Sequence, residues 1–467
     1  MMSENVPDHF GESVRNCSCS VAIALGLIDG GLEVITNYPG SYSHDIFSIC
    51  GGKVTSINER TAFSIAWGAS VCGKRSAVTL KNVGLNDAAD PFLNAMILDV
   101  NAGLVVVVFD DIDIEGSQIR QDSRNYFSFH GGLWFEPTSI RHAYEIARES
   151  FRVSERFLLP VVIRFTNILE NLTGDIVRSD RGTSKKTFLR KPENYVAHPI
   201  NLKSNLQRMK NKAEQVADFV EDLHREERAN SSSASTIVFG RATHEFYAEP
   251  PYLNIFTLPP PMRLIRLALK NENKAVVLEH GDPFVTDIVR KHLCTKKLIH
   301  RQLISELSKH SYIVTETHEK MYSALRTIEG IIVCGDIGSY TIDRSRTIDM
   351  CLCLGAGVAI SVGAAMAESA SHIFCVTGDG AFFHSGKSVL CEASERGLTI
   401  TIVILENEGC KTTGGQKVPG TLKIQECVDT VIHAEYSSTS DACFAAIFKR
   451  LSSCPGISLL IIHEEGS

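Results

Sequence analysis

Two residues with oxygen donors stand out by where they fall. Asp379 lies between Gly378 and Gly380 directly after the apolar run 373–377, and Asn407 follows 28 residues later, just past a second apolar run at 399–405. If both runs are strands of one parallel sheet, the carboxylate and the amide meet at its carboxyl edge, where such sheets bind ligands. The donor set suits Mg²⁺, which takes one or two protein side chains and completes its octahedron with phosphate oxygens and water. The backbone carbonyl of Gly409 is expected as a further protein donor, and a diphosphate as the source of the rest. Gly378 and Gly380 have no Cβ to keep an anion away, and their N–H groups are expected to point at it. A GDG triplet alone is most often a turn; the strand before it and Asn407 after it make it a candidate site.

The front of the chain offers a carboxylate of another kind. Glu59 stands between Asn58 and Arg60 at the start of an apolar helical stretch, 61–72. An acid there opposes the helix dipole, and that alone accounts for it. The GDG–Asn spacing, however, is the diphosphate motif of thiamine diphosphate enzymes, whose chemistry needs one carboxylate on a different domain to hydrogen-bond the pyrimidine ring, so that the exocyclic amine can remove the C2 proton of the thiazolium. Glu59 is the candidate. His384, four residues past Gly380, is the leading proton-transfer candidate, because imidazole titrates near working pH; a polar residue lining a loop is the plain alternative. His44 and Lys81 are second choices. A rival motif, Gly355-x-Gly357 with Ile360 in the third glycine position, is too weak to indicate a dinucleotide.

These residues must be positioned by a chain of 467 residues, long enough for about three domains. Hydrophobic residues at 44% and charged residues at 22% are ordinary globular usage. A formal charge of −7 gives no basic surface for nucleic acid or an anionic membrane. No apolar run approaches the ~18 residues of a membrane span, and no secretory leader pattern opens the sequence, so a cytoplasmic protein is expected. The 14 cysteines lie mostly in apolar segments and read as reduced core thiols. Cys17/Cys19 and Cys351/Cys353 are lone C-x-C pairs, without the quartet spacing of an iron–sulfur cluster.

Strands are expected at 32–36, 76–80, 104–110 and 161–165, with helices at 61–72 and 140–153, which is α/β alternation around a parallel sheet. A polar stretch, 170–234, carries one long amphipathic helix, 202–228, with Leu206, Met209, Val216, Phe219, Val220 and Leu223 as its apolar positions. Short strands at 236–240, 254–258 and 275–279 around a helix at 262–270 make a small α/β middle domain. Strands at 330–334, 373–377, 399–405 and 458–463 make a second large α/β domain. The expected fold class is therefore α/β with two large parallel-sheet domains and a small middle one, divided as 1–180, 181–310 and 311–467.

At this point the chain resembles a known family, the large subunit of indolepyruvate ferredoxin oxidoreductase. The resemblance rests on Tyr38-Pro39-Gly40, Asn58-Glu59, Val83-Gly84-Leu85-Asn86, Gln121-Asp122-Ser123-Arg124 and Glu136-Pro137, then Gly335-Asp336-Ile337-Gly338, Phe382-Phe383-His384-Ser385-Gly386 and Thr413-Gly414-x-Gln416. It implies a pyrimidine-binding domain and a diphosphate-binding domain with thiamine diphosphate and Mg²⁺ between them, at a subunit interface, for which a homodimer is the simplest solution. It also implies cofactor contacts from Tyr38, Pro39, Gly40, Gly335, Asp336, Ile337, Gly338, Gly355, Ala381, Cys410 and Thr412, besides Glu59, Gly378, Asp379, Gly380, Asn407 and Gly409. Two departures matter. The family's ferredoxin-like segment with two cysteine quartets is not among these residues, and Asn82 stands where the family has a histidine, replacing a titratable ring with an amide. With no cluster to accept two electrons, the expected activity is a non-oxidative decarboxylase or carboligase, acting on an aromatic or bulky 2-oxo acid and a second carbonyl substrate. The alternative is a catalytic subunit of a 2-oxo acid ferredoxin oxidoreductase whose iron–sulfur centres sit on a separate chain.

Overall fold

Uninterrupted runs of Val, Ile and Leu form the central strands, because each large sheet is covered on both faces and no position needs to face water. The computed structural model describes residues 11, 13–38, 40, 42–56, 58–112, 121–225, 236–240, 252–269, 276–293, 318–336, 338–352, 355–407 and 427–464. Strand β1 (Ser13–Cys17) and helix α1 (Cys19–Asp29) lead into β2 (Val34–Asn37), α2 (Ser43–Ile49), α3 (Glu59–Val71), β3 (Ser76–Lys81), α4 (Asn82–Asp87), α5 (Ala89–Ile97), β4 (Leu104–Asp110), β5 (Leu133–Phe135), α6 (Ile140–Phe157), β6 (Val161–Thr166) and β7 (Gly174–Val177). β5, β6, β4, β3 and β2 lie side by side and parallel, while β1 pairs with β7 in a separate antiparallel ribbon.

Next come α7 (Leu202–Leu223), β8 (Thr236–Phe239), β9 (Tyr252–Ile255), β10 (Thr257–Leu258), α8 (Met262–Ala268), β11 (Val276–Leu278) and α9 (Phe284–Leu293). The single strand expected at 254–258 is two strands that serve different sheets. β9 joins β8 and β11 in a parallel three-stranded sheet, and β10 pairs antiparallel with β5, adding a sixth strand to the first sheet. The expected stripe of α7 also needs correction. Val216 and Val220 are buried, but Leu206 and Leu223 are exposed, and the helix turns Asn205 and Lys212 inward instead. Lys212 can be buried because its Nζ reaches Asp99 Oδ1 at 2.7 Å and the Leu158 carbonyl at 2.6 Å.

The last block holds α10 (Glu319–Leu325), β12 (Ile331–Gly335), α11 (Gly357–Met366), β13 (His372–Gly378), α12 (Lys387–Glu395), β14 (Ile400–Glu406), β15 (Thr430–Glu435), α13 (Asp441–Leu451) and β16 (Ile457–His463). Its five strands are parallel in the order β12-β13-β14-β16-β15. The α/β class with two large parallel sheets and a smaller middle sheet is as expected. Among the described residues the cysteines are all free thiols.

Two features tie the layers together. Helices α3 and α11 cross with almost no side chain between them: a Cβ on Gly68 would stand 2.7 Å from the Ile360 carbonyl oxygen, and one on Gly363 would stand 2.2 Å from that of Ile65. The second is Arg124, fully buried on the first block. It binds Asp122, reaches Glu279 Oε2 at 2.7 Å, and donates to the carbonyls of His280 and Asp282 at 2.9 Å each. The Gln121–Arg124 motif therefore fastens the middle sheet to the first.

Candidate active site

Gly378 of β13 lies in register with Leu405 of β14, so the residues after each strand leave the sheet at one edge. Asp379 and Asn407 meet there. The Asn407 backbone N–H donates to Asp379 Oδ2 at 3.4 Å, and the Gly380 N–H donates to Asp379 Oδ1 at 2.7 Å. The Asn407 amide donates from Nδ2 to Glu464 Oε2 at 3.0 Å, and its buried Oδ1 has no hydrogen-bond partner among the described residues. Leaving a buried acceptor bare costs on the order of 1–3 kcal/mol. A carboxylate beside an amide oxygen with nothing to accept from is a donor pair that fits a divalent cation, and through it a diphosphate.

Neighbouring groups crowd the glycines around this edge. The Gly380 N–H is held by the Asp379 carboxylate, and the Tyr340 ring stands beside Gly378. Gly378 is small because Tyr340 is there: a Cβ would meet the ring at 3.1 Å. The same ring explains Gly338, where a Cβ would meet it at 2.3 Å. Asp336, fully buried, accepts the N–H groups of Gly355 at 2.6 Å and Gly357 at 3.1 Å. Its carboxylate thus fixes the backbone entering α11, with Gly335 at the end of β12 beside it, and acts as a positioning group for this edge. Gly355 turns with φ +79°, where a side chain would be strained. Ala381 closes the short helical turn that begins at Asp379, and a π turn, Phe382–Gly386, carries His384. Ile337, Gly409, Cys410 and Thr412 lie outside the described residues.

The second carboxylate opens α3. The Asn58 side chain caps the helix by accepting the Thr61 N–H at 2.7 Å, so Asn58, not Glu59, satisfies the helix end. Glu59 is left half-buried, and burial pushes its carboxyl above the usual range, reinforced by the nearby charge of Asp87. Gly84 of α4 lies against it: a Cβ there would stand 2.4 Å from Oε1. The turn that follows β3 is therefore pressed onto Glu59. In that turn Asn82 donates to the Gln121 carbonyl at 3.1 Å and caps Val83 N–H at 2.9 Å, while Lys81, buried, pairs with Asp111 at 3.3 Å. His44 Nδ1 sits 3.3 Å from Asn37 Oδ1, and the His44 backbone N–H donates to the Gly40 carbonyl at 3.1 Å. Tyr38 is exposed, and Pro39 lies outside the described residues.

Glu464 and His318 escaped the sequence reading. Glu406 pairs with His463, so β16 delivers the next residue to the edge where Asn407 sits. The signal was the same one that found Asn407, a polar residue just past an apolar strand, but it lies far along the chain and needs the β14-β16 neighbour relation to have meaning.

Residues 336–450 match the family described as thiamine pyrophosphate enzyme, C-terminal TPP binding domain. Along most of its length the chain is similar to curated proteins named indolepyruvate oxidoreductase subunit IorA. It is 28% identical to that of Archaeoglobus fulgidus, covering 90% of this chain and 79% of the relative, and 26% identical to that of Methanothermobacter thermautotrophicus, covering 85% and 76%. Among solved structures it superposes with a thiamine diphosphate-dependent 4-hydroxybenzoylformate decarboxylase of Rhodococcus jostii, with TM-score 0.54 and 13% identity over 97% of this chain and 100% of that one. The chain has the thiamine diphosphate enzyme fold and resembles IorA.

These findings overturn the expected non-oxidative decarboxylase or carboligase. The curated relatives that match carry the name of an oxidoreductase subunit, and the Rhodococcus protein, at 13% identity, shares the fold alone. The physical reason is that a cradle for the cofactor serves both chemistries alike; what separates them is where two electrons go. Among the described residues, no helix is long and apolar enough to cross a membrane.

Proposed function

We propose that the chain is the thiamine diphosphate-binding catalytic subunit of an oxidoreductase that oxidatively decarboxylates a 2-oxo acid, aromatic or bulky, and passes two electrons to iron–sulfur centres outside these 467 residues. The observation that carries the reading is the bare, buried Asn407 Oδ1 beside Asp379, on a chain whose curated relatives are oxidoreductase subunits. The cofactor, when bound, supplies an electron sink that lets CO₂ leave.

Asp379 and Asn407 would hold Mg²⁺ for the diphosphate, with the carbonyl of Gly409, outside the described residues, as the further donor expected from the sequence. Glu59, whose carboxyl burial keeps more readily protonated, would hydrogen-bond the pyrimidine ring of the cofactor across a homodimer interface. Asn82 contributes a neutral amide, and His384 and His44 are assigned to proton transfer. A reducing, cytoplasmic setting suits the free thiols.

The test is CO₂ release from indolepyruvate by the purified chain with thiamine diphosphate and Mg²⁺, with and without ferricyanide. The expected result is turnover that depends on the oxidant and consumes two equivalents of it per CO₂. Equal CO₂ release without any acceptor would overturn the proposal.

A further inference from the structure

We propose that Glu464, steadied by His318, is a positioning residue that locks the Asn407 amide with its oxygen toward the cation and so sets the affinity for the metal. The inference rests on the reading of Asp379 and Asn407 as the cation cradle. A side-chain amide has two ends of similar shape and opposite character, one donating and one accepting. If it turned over, NH₂ would face the cation and the site would lose a ligand.

Glu464 removes that choice. An ionised carboxylate only accepts, so it favours the Nδ2 end of Asn407, which it takes at 3.0 Å, and repels the oxygen end. The Oδ1 that results is the one left bare and buried. Glu464 is itself fixed from two sides. Its backbone N–H donates to the Glu406 carbonyl at 2.9 Å, and its other carboxylate oxygen lies 2.6 Å from His318 Nε2. His318 is buried, and because an ionised carboxylate only accepts, the hydrogen is assigned to Nε2, which faces it; Nδ1 has no hydrogen-bond partner among the described residues. The ring is wedged near Tyr322 and Tyr436, with centroids at 6.3 and 6.0 Å. Outer partners of this kind orient a metal ligand without touching the metal, and their loss costs about ten- to a hundredfold in affinity.

The experiment is Mn²⁺ binding to the full chain in the presence of thiamine diphosphate, read as free Mn²⁺ by electron paramagnetic resonance, with no turnover involved. Glu464→Gln is nearly isosteric, but it can donate as well as accept and so no longer selects one amide orientation; it is expected to weaken Mn²⁺ about tenfold. Adding Asn407→Asp removes the amide altogether, and Asn407→Asp/Glu464→Gln is expected to recover affinity to within about threefold of wild type, a rescue that a merely structural role would not give. Wild-type affinity in Glu464→Gln, with binding lost in Asn407→Ala, would overturn the inference and leave the cradle standing. Wild-type affinity in Asn407→Ala would overturn the cradle itself. Should Glu464→Gln not fold, His318→Phe carries the test: weaker binding supports the inference, and unchanged binding overturns it.

Discussion

The Glu59 carboxyl fills the space that a side chain at Gly84 would need, with Oε1 2.4 Å from where a Cβ would stand. The acid is thus aimed by a turn on the neighbouring strand as well as by its own helix. Gly84→Ala is expected to push the whole Glu59 side chain aside while leaving the core intact, since the new Cβ would also stand 2.7 Å from its Cγ and 2.9 Å from its Cδ. Turnover should fall about a hundredfold, as for a displacement of order 1 Å at a reacting group, with an unchanged circular dichroism spectrum.

Glu59 also has a cost that can be read as a pH effect. Its carboxyl is raised above the ordinary 4.5 in the folded chain, chiefly by burial, so the folded state holds that proton more firmly than the unfolded one. The stabilising contribution is complete below the ordinary value and is lost as pH rises through the folded pKa. Glu59→Gln should therefore melt higher than wild type at pH 7, by about 1 °C given the half-exposed position, and the gap should close near pH 4. Turnover should drop by about a hundredfold or more.

The crossing of α3 over α11 leaves no room for a methyl group on Gly363, because the contact at 2.2 Å is to the backbone of Ile65. Gly363→Ala must part the helices and is expected to cost about 1–3 kcal/mol in urea unfolding. Since α3 begins at Glu59, turnover should fall as well.

Arg124→Leu removes one of two cations from a buried cluster, leaving Glu279 without its partner and Asp122 with Arg164 alone, a loss of about 3–5 kcal/mol in urea unfolding at pH 7. Burial works against ionisation of Asp122, but the charge of Arg164 and the hydrogen bonds and charge of Arg124 outweigh it and hold the carboxyl well below the ordinary 3.8. That contribution is present above the ordinary value and lost as pH falls toward the folded one, so the gap between variant and wild type should narrow in acid.

The parts legible in the sequence are those set by local pattern. The apolar run at Leu104–Asp110 is a strand with the expected bounds, and Asp379 and Asn407 meet because each directly follows such a run. Elements held by tertiary contacts were not legible. β5 is only three residues long, β15 alternates half-buried and exposed positions, and β1 is largely polar; each forms because a neighbouring strand offers it an edge. The buried face of α7 was misread because Lys212 looks like a surface residue until Asp99 is placed opposite it. Glu464 stayed hidden because its meaning depends on β16 lying beside β14. The fate of the electrons was not written in the cradle at all.

The two-residue strand β10 has a consequence for how this chain can be shortened. Excising the middle segment would remove the antiparallel partner of Trp134 and Phe135 and leave the outer ladder of β5 unpaired. A trimmed protein would then present bare amide and carbonyl groups to solvent, a template on which copies stack edge to edge. Strand β10 is in this sense a seal against self-association.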